Sequence, residues 1–177
     1  CLSRIWNTLG SVTLKGALVP KRETPLTADR FYWNRGDFIM AHTRMRTFNT
    51  RETYPEQNLD NDLSQGVVAR GATVFLRGQV SQDLDSRESL HAGDPALQTQ
   101  KTMENIELLL EESGSCMAHV CRIVVYLTDI RHRDSVYQEM GRWLKGVYPC
   151  STGLVVSALA RPEWLVEIEV TAVIPDE

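Results

Sequence analysis

Tyr148-Pro-Cys-Ser-Thr-Gly-Leu-Val-Val-Ser-Ala-Leu-Ala-Arg-Pro-Glu-Trp-Leu-Val-Glu-Ile-Glu-Val-Thr-Ala172 is the most informative stretch of the chain. Two strand-like runs flank a turn at Ala160 to Pro162, and Glu167 and Glu169 recur at period two. Successive strand residues point to opposite faces, so both carboxylates share one face while Val166, Ile168 and Val170 share the other. An acidic row backed by an apolar row belongs at the rim of a pocket or on open solvent. Which of the two holds decides whether the chain is an enzyme.

Upstream, Val136, Tyr137, Met140, Trp143 and Leu144 recur at helical spacing, opened by Asp134 and stopped by Gly146 and Pro149. Val120 to Leu127 is a nearly continuous apolar, β-branched run, which predicts a strand covered on both faces. Before it, Asp94-Pro95 starts a helix: Asp caps free backbone N–H groups and Pro suits the first helical position. Met103, Ile106 and Leu110 give that helix its buried stripe, and Ser113-Gly114 ends it. Arg44 to Phe48 reads as a short strand. Gln65–Arg70 and Thr73–Val80 read as strands joined in a hairpin at Arg70-Gly71-Ala72. The order is β-β-β-α-β-α-β-β, an α+β sheet with two helices on one face.

The 177 residues and 20.0 kDa accommodate one domain with a good core. A net charge of −4 argues against a protein that holds nucleic acid through its backbone phosphates. No run approaches the roughly 18 apolar residues of a membrane span, and no signal peptide is visible, so the cytoplasm is the expected location. Cys1, Cys116, Cys121 and Cys150 lack metal or redox spacing, and Cys116 and Cys121 read as buried thiols. His42, His91, His119 and His132 are scattered; no metal site and no cofactor are expected.

Residues 1–39 differ from the rest, with a net +3 against −7 for the remainder. Only a brief alternation around Val12 and Leu14 breaks their poor periodicity, and Met40 opens a segment that reads like a native start. They are read as an extension or leader dispensable for a domain spanning 40–177. A sharper alternative makes Cys1 a processed nucleophile with its own amine as base.

Several short motifs then fall in order: Gln65-Gly66, Arg77-Gly78-Gln79, Asn105-Ile106, Val125-Tyr126-Leu127-Thr128-Asp129, Tyr148-Pro149 and Val166-Glu167-Ile168-Glu169. Over about residues 44–175 the chain resembles the reactive-intermediate deaminase family, also called Rid or YjgF-like and carrying the endoribonuclease L-PSP label. The resemblance implies a chorismate-mutase-like fold and a homotrimeric barrel with three clefts between subunits. Family members bind small carboxylate-bearing metabolites there, and the best-studied branch hydrolyses imines and enamines to 2-oxo acids and ammonia.

The same resemblance implies site residues. Glu167 matches the pocket glutamate that orients or activates water. Gly78 matches a backbone N–H that faces the ligand. Where the deaminating branch carries a carboxylate-clamping arginine, this chain has Ser151; its nearby cysteine is Gly153, and a tyrosine is Leu63. Arg77 replaces a small hydroxyl residue, so the guanidinium either has moved to position 77 and still points into the cleft, or pairs with Glu167 or Glu169 across the sheet. Cys150 reads as a packed thiol, Trp164 as interface core, and Arg161 as lining the cleft mouth or facing solvent. The implied function is hydrolysis of a small C–N metabolite by water addition. The alternative is a non-catalytic metabolite-binding trimer, and a ribonuclease or translation-inhibitor role is the least supported.

Overall fold

Asp94 caps as its sequence predicts: its side chain accepts hydrogen bonds from the Ala96 and Leu97 N–H groups and starts the long helix α2, Pro95–Glu112. The computed structural model describes residues 42–176. The readings of residues 1–39, of Cys1 and of Met40 lie outside them.

The described chain begins with β1 (Thr43–Met45), β2 (Phe48–Asn49), a four-residue helix α1 (Thr50–Thr53), a 3-10 turn (Pro55–Gln57), β3 (Asp62–Leu63) and β4 (Gly66–Val68). It continues through β5 (Ala72–Gln79), α2, β6 (Val120–Leu127), α3 (Arg133–Trp143), β7 (Cys150–Val155) and β8 (Val166–Ile174). The main sheet has the order β5-β8-β6-β7. β8 runs antiparallel to β5 and β6, whereas β6 and β7 are parallel, so the α3 crossover joins them.

Alternation decides which face is buried. Ile123, Val125 and Leu127 of β6 and Val166, Ile168, Val170 and Ala172 of β8 form the core with Met103, Ile106 and Leu110 of α2 and Val136, Tyr137 and Met140 of α3. Glu167, Glu169 and Thr171 point away from the helices, half exposed. The α+β class read from the periods holds; the expected order β-β-β-α-β-α-β-β does not, since among the described residues five strands and the short α1 precede α2. β6 departs from full coverage at Arg122, which is exposed.

Three further expectations change. The strand expected over 44–48 is two pieces, because Arg46 takes φ +50° between them. The hairpin expected at Gly71 does not form: β4 pairs with β1, and β5 pairs with β8. Gly71 turns the chain from one sheet to the other with its backbone against the Ile174 carbonyl, at φ +129°. Trp164, expected at an interface, is 6% exposed within its own chain and donates from Nε1 to Ser89 Oγ. The Arg161 guanidinium lies 5.2 Å from its ring centroid.

A side ribbon of β2 and β3 is tied to the β7 end of the sheet. Ser64 N donates to the Pro149 carbonyl and Ser64 Oγ to that of Tyr148. Asn49 caps α1 and donates to Asp60 and Asp62, which also receive Lys145. These bonds hold the segment 48–63 beside α3 and wall off the pocket described next.

Candidate functional site

A β-bulge shapes the first half of the site. Leu76 faces Val170 and Gln79 faces Ile168, so two residues, Arg77 and Gly78, oppose Glu169 alone. The Gln79 side chain donates to the Arg77 carbonyl and fastens the bulge. Both bulge residues then lie on the helix-free face, over Glu167. A Cβ on Gly78 would come 1.8 Å from Glu167 Oε1, so only glycine lets the carboxylate lie against the strand.

The two glutamates differ in their partners. Glu169 receives the Tyr126 hydroxyl at 3.3 Å and lies 3.7 Å from the Arg122 guanidinium. Among the described residues no hydrogen bond or ion pair reaches the Glu167 carboxylate. Burial raises its pKa, the Arg77 charge opposes that shift, and Glu169 adds to it. A half-buried carboxyl poised above its ordinary range, next to a guanidinium, is suited to taking up and releasing a proton.

The second half is a pocket of about 300 Å³ beyond the β7 edge. It brings together Leu63, Ser151 and Gly153, three of the residues singled out from the sequence. Gly153 faces Tyr137 so closely that a Cβ would lie 2.2 Å from the phenol oxygen. Ser151 Oγ is buried; burial of Tyr137 pushes its phenol pKa up, and Ser151 and the Arg133 charge oppose that shift. Phe48 and Tyr54 add an aromatic wall, with rings edge-on and centroids 6.2 Å apart. Arg133 supplies the pocket's guanidinium.

The two halves do not meet within one chain. β5 and β7 are opposite edges of a four-stranded sheet, and three strand spacings put them roughly 14 Å apart. They also use opposite faces: Ser151 and Gly153 stand beside the core residues Ile123 and Val125, on the helix side. Of the six candidate residues, the structure thus groups Arg77, Gly78 and Glu167 on one edge and Leu63, Ser151 and Gly153 on the other.

Sequence reasoning missed Arg133, Tyr54 and Phe48, and read Tyr137 only as core. No period or motif marks them, because the pocket draws on segments far apart in sequence. Asn105 proves structural, donating to the Val80 and Gln82 carbonyls beside the bulge. Cys150 is half buried with Sγ 3.9 Å from Ser64 Oγ; Cys121 is buried, and Cys116, expected to be, is only partly so. Among the described residues no group of three potential ligands could hold a metal ion, and no helix is long and apolar enough to cross a membrane.

The model of a family described as Endoribonuclease L-PSP matches residues 56–174. Protein DfrA of Myxococcus xanthus is 37% identical over 111 residues, covering 62% of this chain and 83% of that protein. RutC family protein UK114 of Drosophila melanogaster is 32% identical over 109 residues, covering 62% and 77% respectively. Among solved structures, YyfB of Yersinia pestis, from the conserved Rid protein family, aligns with a TM-score of 0.57 and 26% identity, over 75% of this chain and 100% of YyfB.

Proposed function

The chain belongs to the endoribonuclease L-PSP family, the Rid/YjgF-like proteins, and we propose that three copies form a chorismate-mutase-like barrel whose inter-subunit clefts hydrolyse a small imine or enamine. Each cleft takes Arg77, Gly78 and Glu167 from one copy and the pocket of Leu63, Ser151 and Gly153 from the next. Apolar side chains left open at both edges support this pairing: Phe75 is 78% exposed on β5, and Leu154 and Val155 are 47% and 53% exposed on β7.

The observation that carries the chemical reading is Glu167, half buried, without a hydrogen bond or ion pair among the described residues, and seated against Gly78. Its carboxylate removes a proton from water as the water oxygen bonds to the imine carbon. The proton passes to the nitrogen, giving a carbinolamine; its hydroxyl proton then follows to the nitrogen through the same carboxylate as the C–N bond breaks, and ammonia leaves a carbonyl behind. Arg77 favours the ionised carboxylate at the start of this cycle. No cofactor enters the balance.

A second reading, a metabolite-binding trimer without catalysis, is favoured by Ser151, a neutral hydroxyl at the position where the family resemblance implies a clamping arginine. One experiment separates the two. An amino-acid oxidase generates 2-imino acids in situ, and ammonia release is followed with and without the protein. Catalysis predicts release well above the spontaneous rate, from a species of about 60 kDa in light scattering, three times the 20.0 kDa chain. Release at the spontaneous rate from an intact trimer supports the binding-only reading, and a stable monomer removes the cleft altogether. The ribonuclease reading, disfavoured by the net charge of −4, would require RNA binding that weakens steeply with salt.

A further inference from the structure

Arg133 stands in the first turn of α3, where a positive charge opposes the helix dipole. Helix stability therefore does not explain it. Its guanidinium lies 5.0 Å from the Tyr137 ring centroid, and one of its N–H groups donates to Gln57 Oε1 at 3.0 Å. These two contacts fix the fork in the wall of the β7-edge pocket. A second nitrogen lies 3.6 Å from Asp134, whose side chain is 73% exposed. Such an exposed contact holds weakly and yields to a competing anion. Guanidinium carries five N–H donors, so most remain for a ligand.

Apart from Thr50, Gln57, Ser151 and Gly153, the rest of the pocket is apolar or aromatic. Phe48, Leu63, Leu127 and Tyr137 line it, and Tyr54 and Ile130 stand at its rim, 41% and 61% exposed. Its volume of about 300 Å³ fits a ligand considerably larger than a three-carbon acid. Ser151 Oγ, buried in the same pocket, lies against the Tyr137 phenol.

We propose that Arg133 is the cation that binds the ligand's carboxylate, and that the pocket selects 2-oxo and 2-imino acids with an aromatic or bulky apolar side chain. The inference rests on the imine-hydrolysis reading for its ligand class, but concerns binding alone. A fixed planar fork takes both carboxylate oxygens at once, and its stacking on Tyr137 reduces the ordering cost of the bond. The ring of the ligand covers the rim side chains that a methyl group would leave wet.

The test is calorimetric titration of the full chain with phenylpyruvate, pyruvate and benzyl methyl ketone, the last an uncharged analogue. Phenylpyruvate should bind at least tenfold more tightly than pyruvate. Arg133→Ala should weaken phenylpyruvate by about ten- to a hundredfold and leave the ketone unchanged. Arg133→Lys keeps the charge and the stem, so it should fold even where the alanine variant does not, and should recover only part of the affinity. The proposal is overturned if phenylpyruvate does not bind the parent protein, or if Arg133→Lys binds it as tightly as the parent does. It is equally overturned if the ketone loses as much as the acid, which marks a structural role, or if Arg77→Ala rather than Arg133→Ala carries the loss. None of these readings uses ammonia release, so failure of the catalytic reading would show separately, as phenylpyruvate bound through Arg133 without turnover of its imine.

Discussion

Glu167→Gln should lower catalysed ammonia release by about 10²- to 10⁴-fold, the usual worth of a positioned acid–base group. Glutamine keeps the shape beside Gly78 but cannot take a proton. The pH profile gives a second readout. The base must be ionised, so the rate should rise with pH through the pKa of Glu167, which lies above the 4.5 of an ordinary glutamate. Arg77→Ala removes the charge that lowers this value and should move the acid limb to higher pH. Glu169→Gln removes a charge that raises it and should move the limb down. The sign for stability is opposite to that of a salt-bridged acid. A raised folded pKa favours the fold while Glu167 is protonated, and that contribution fades as pH rises through the folded value. Glu167→Gln should therefore melt no lower than the parent at pH 7. A melting temperature clearly below the parent's would mark Glu167 as a structural residue.

Gly78→Ala should be the other large loss. The new Cβ would stand 1.8 Å from Glu167 Oε1, so the carboxylate has to leave its seat. The end of a glutamate side chain swings aside at small cost in stability, but displacing a catalytic group by about 1 Å can cost on the order of a hundredfold in rate. Kinetics and thermal melting measured together should show that divergence. Activity within threefold of the parent's would mean that Glu167 does not act from the position seen here.

Much of this fold is legible in the sequence wherever a period or a cap is long enough to act. The stripe Met103, Ile106, Leu110 and the alternation Val166 to Val170 assign both helix and strand faces, since burying them leaves no other orientation. Asp94-Pro95 fixes a helix start through local hydrogen bonds alone. What escapes is short or non-local. Two-residue strands such as β2 and β3 have no period to read, and their place is set by Ser64, Asn49 and Lys145 reaching across the chain. Gly71 signals a turn but not which strand follows as partner.

The site divides along the same line. Strand alternation puts Glu167 and Glu169 on one face, and the family resemblance points to Glu167 and Gly78; that the two lie against each other follows only from the β5–β8 pairing and its bulge. The β7-edge pocket is not legible, because Phe48, Tyr54 and Arg133 meet Ser151 only through tertiary packing. A serine at position 151 reads in sequence as a lost positive charge. In the folded chain a guanidinium reaches the same pocket from α3.

We propose a site shared between copies, because one chain holds its two halves on opposite edges of the sheet. Mixed oligomers distinguish this arrangement from a site within one chain. Glu167→Gln spoils the β5-side half, and Gly153→Leu fills the pocket against Tyr137 and spoils the other. Each variant alone should be inactive. Co-expressed in equal amounts, they should regain about a quarter of the parent activity, since random assembly joins two intact halves in about one cleft in four. Mixed oligomers as inactive as either variant, with mixing verified by native mass spectrometry, would contradict a shared site.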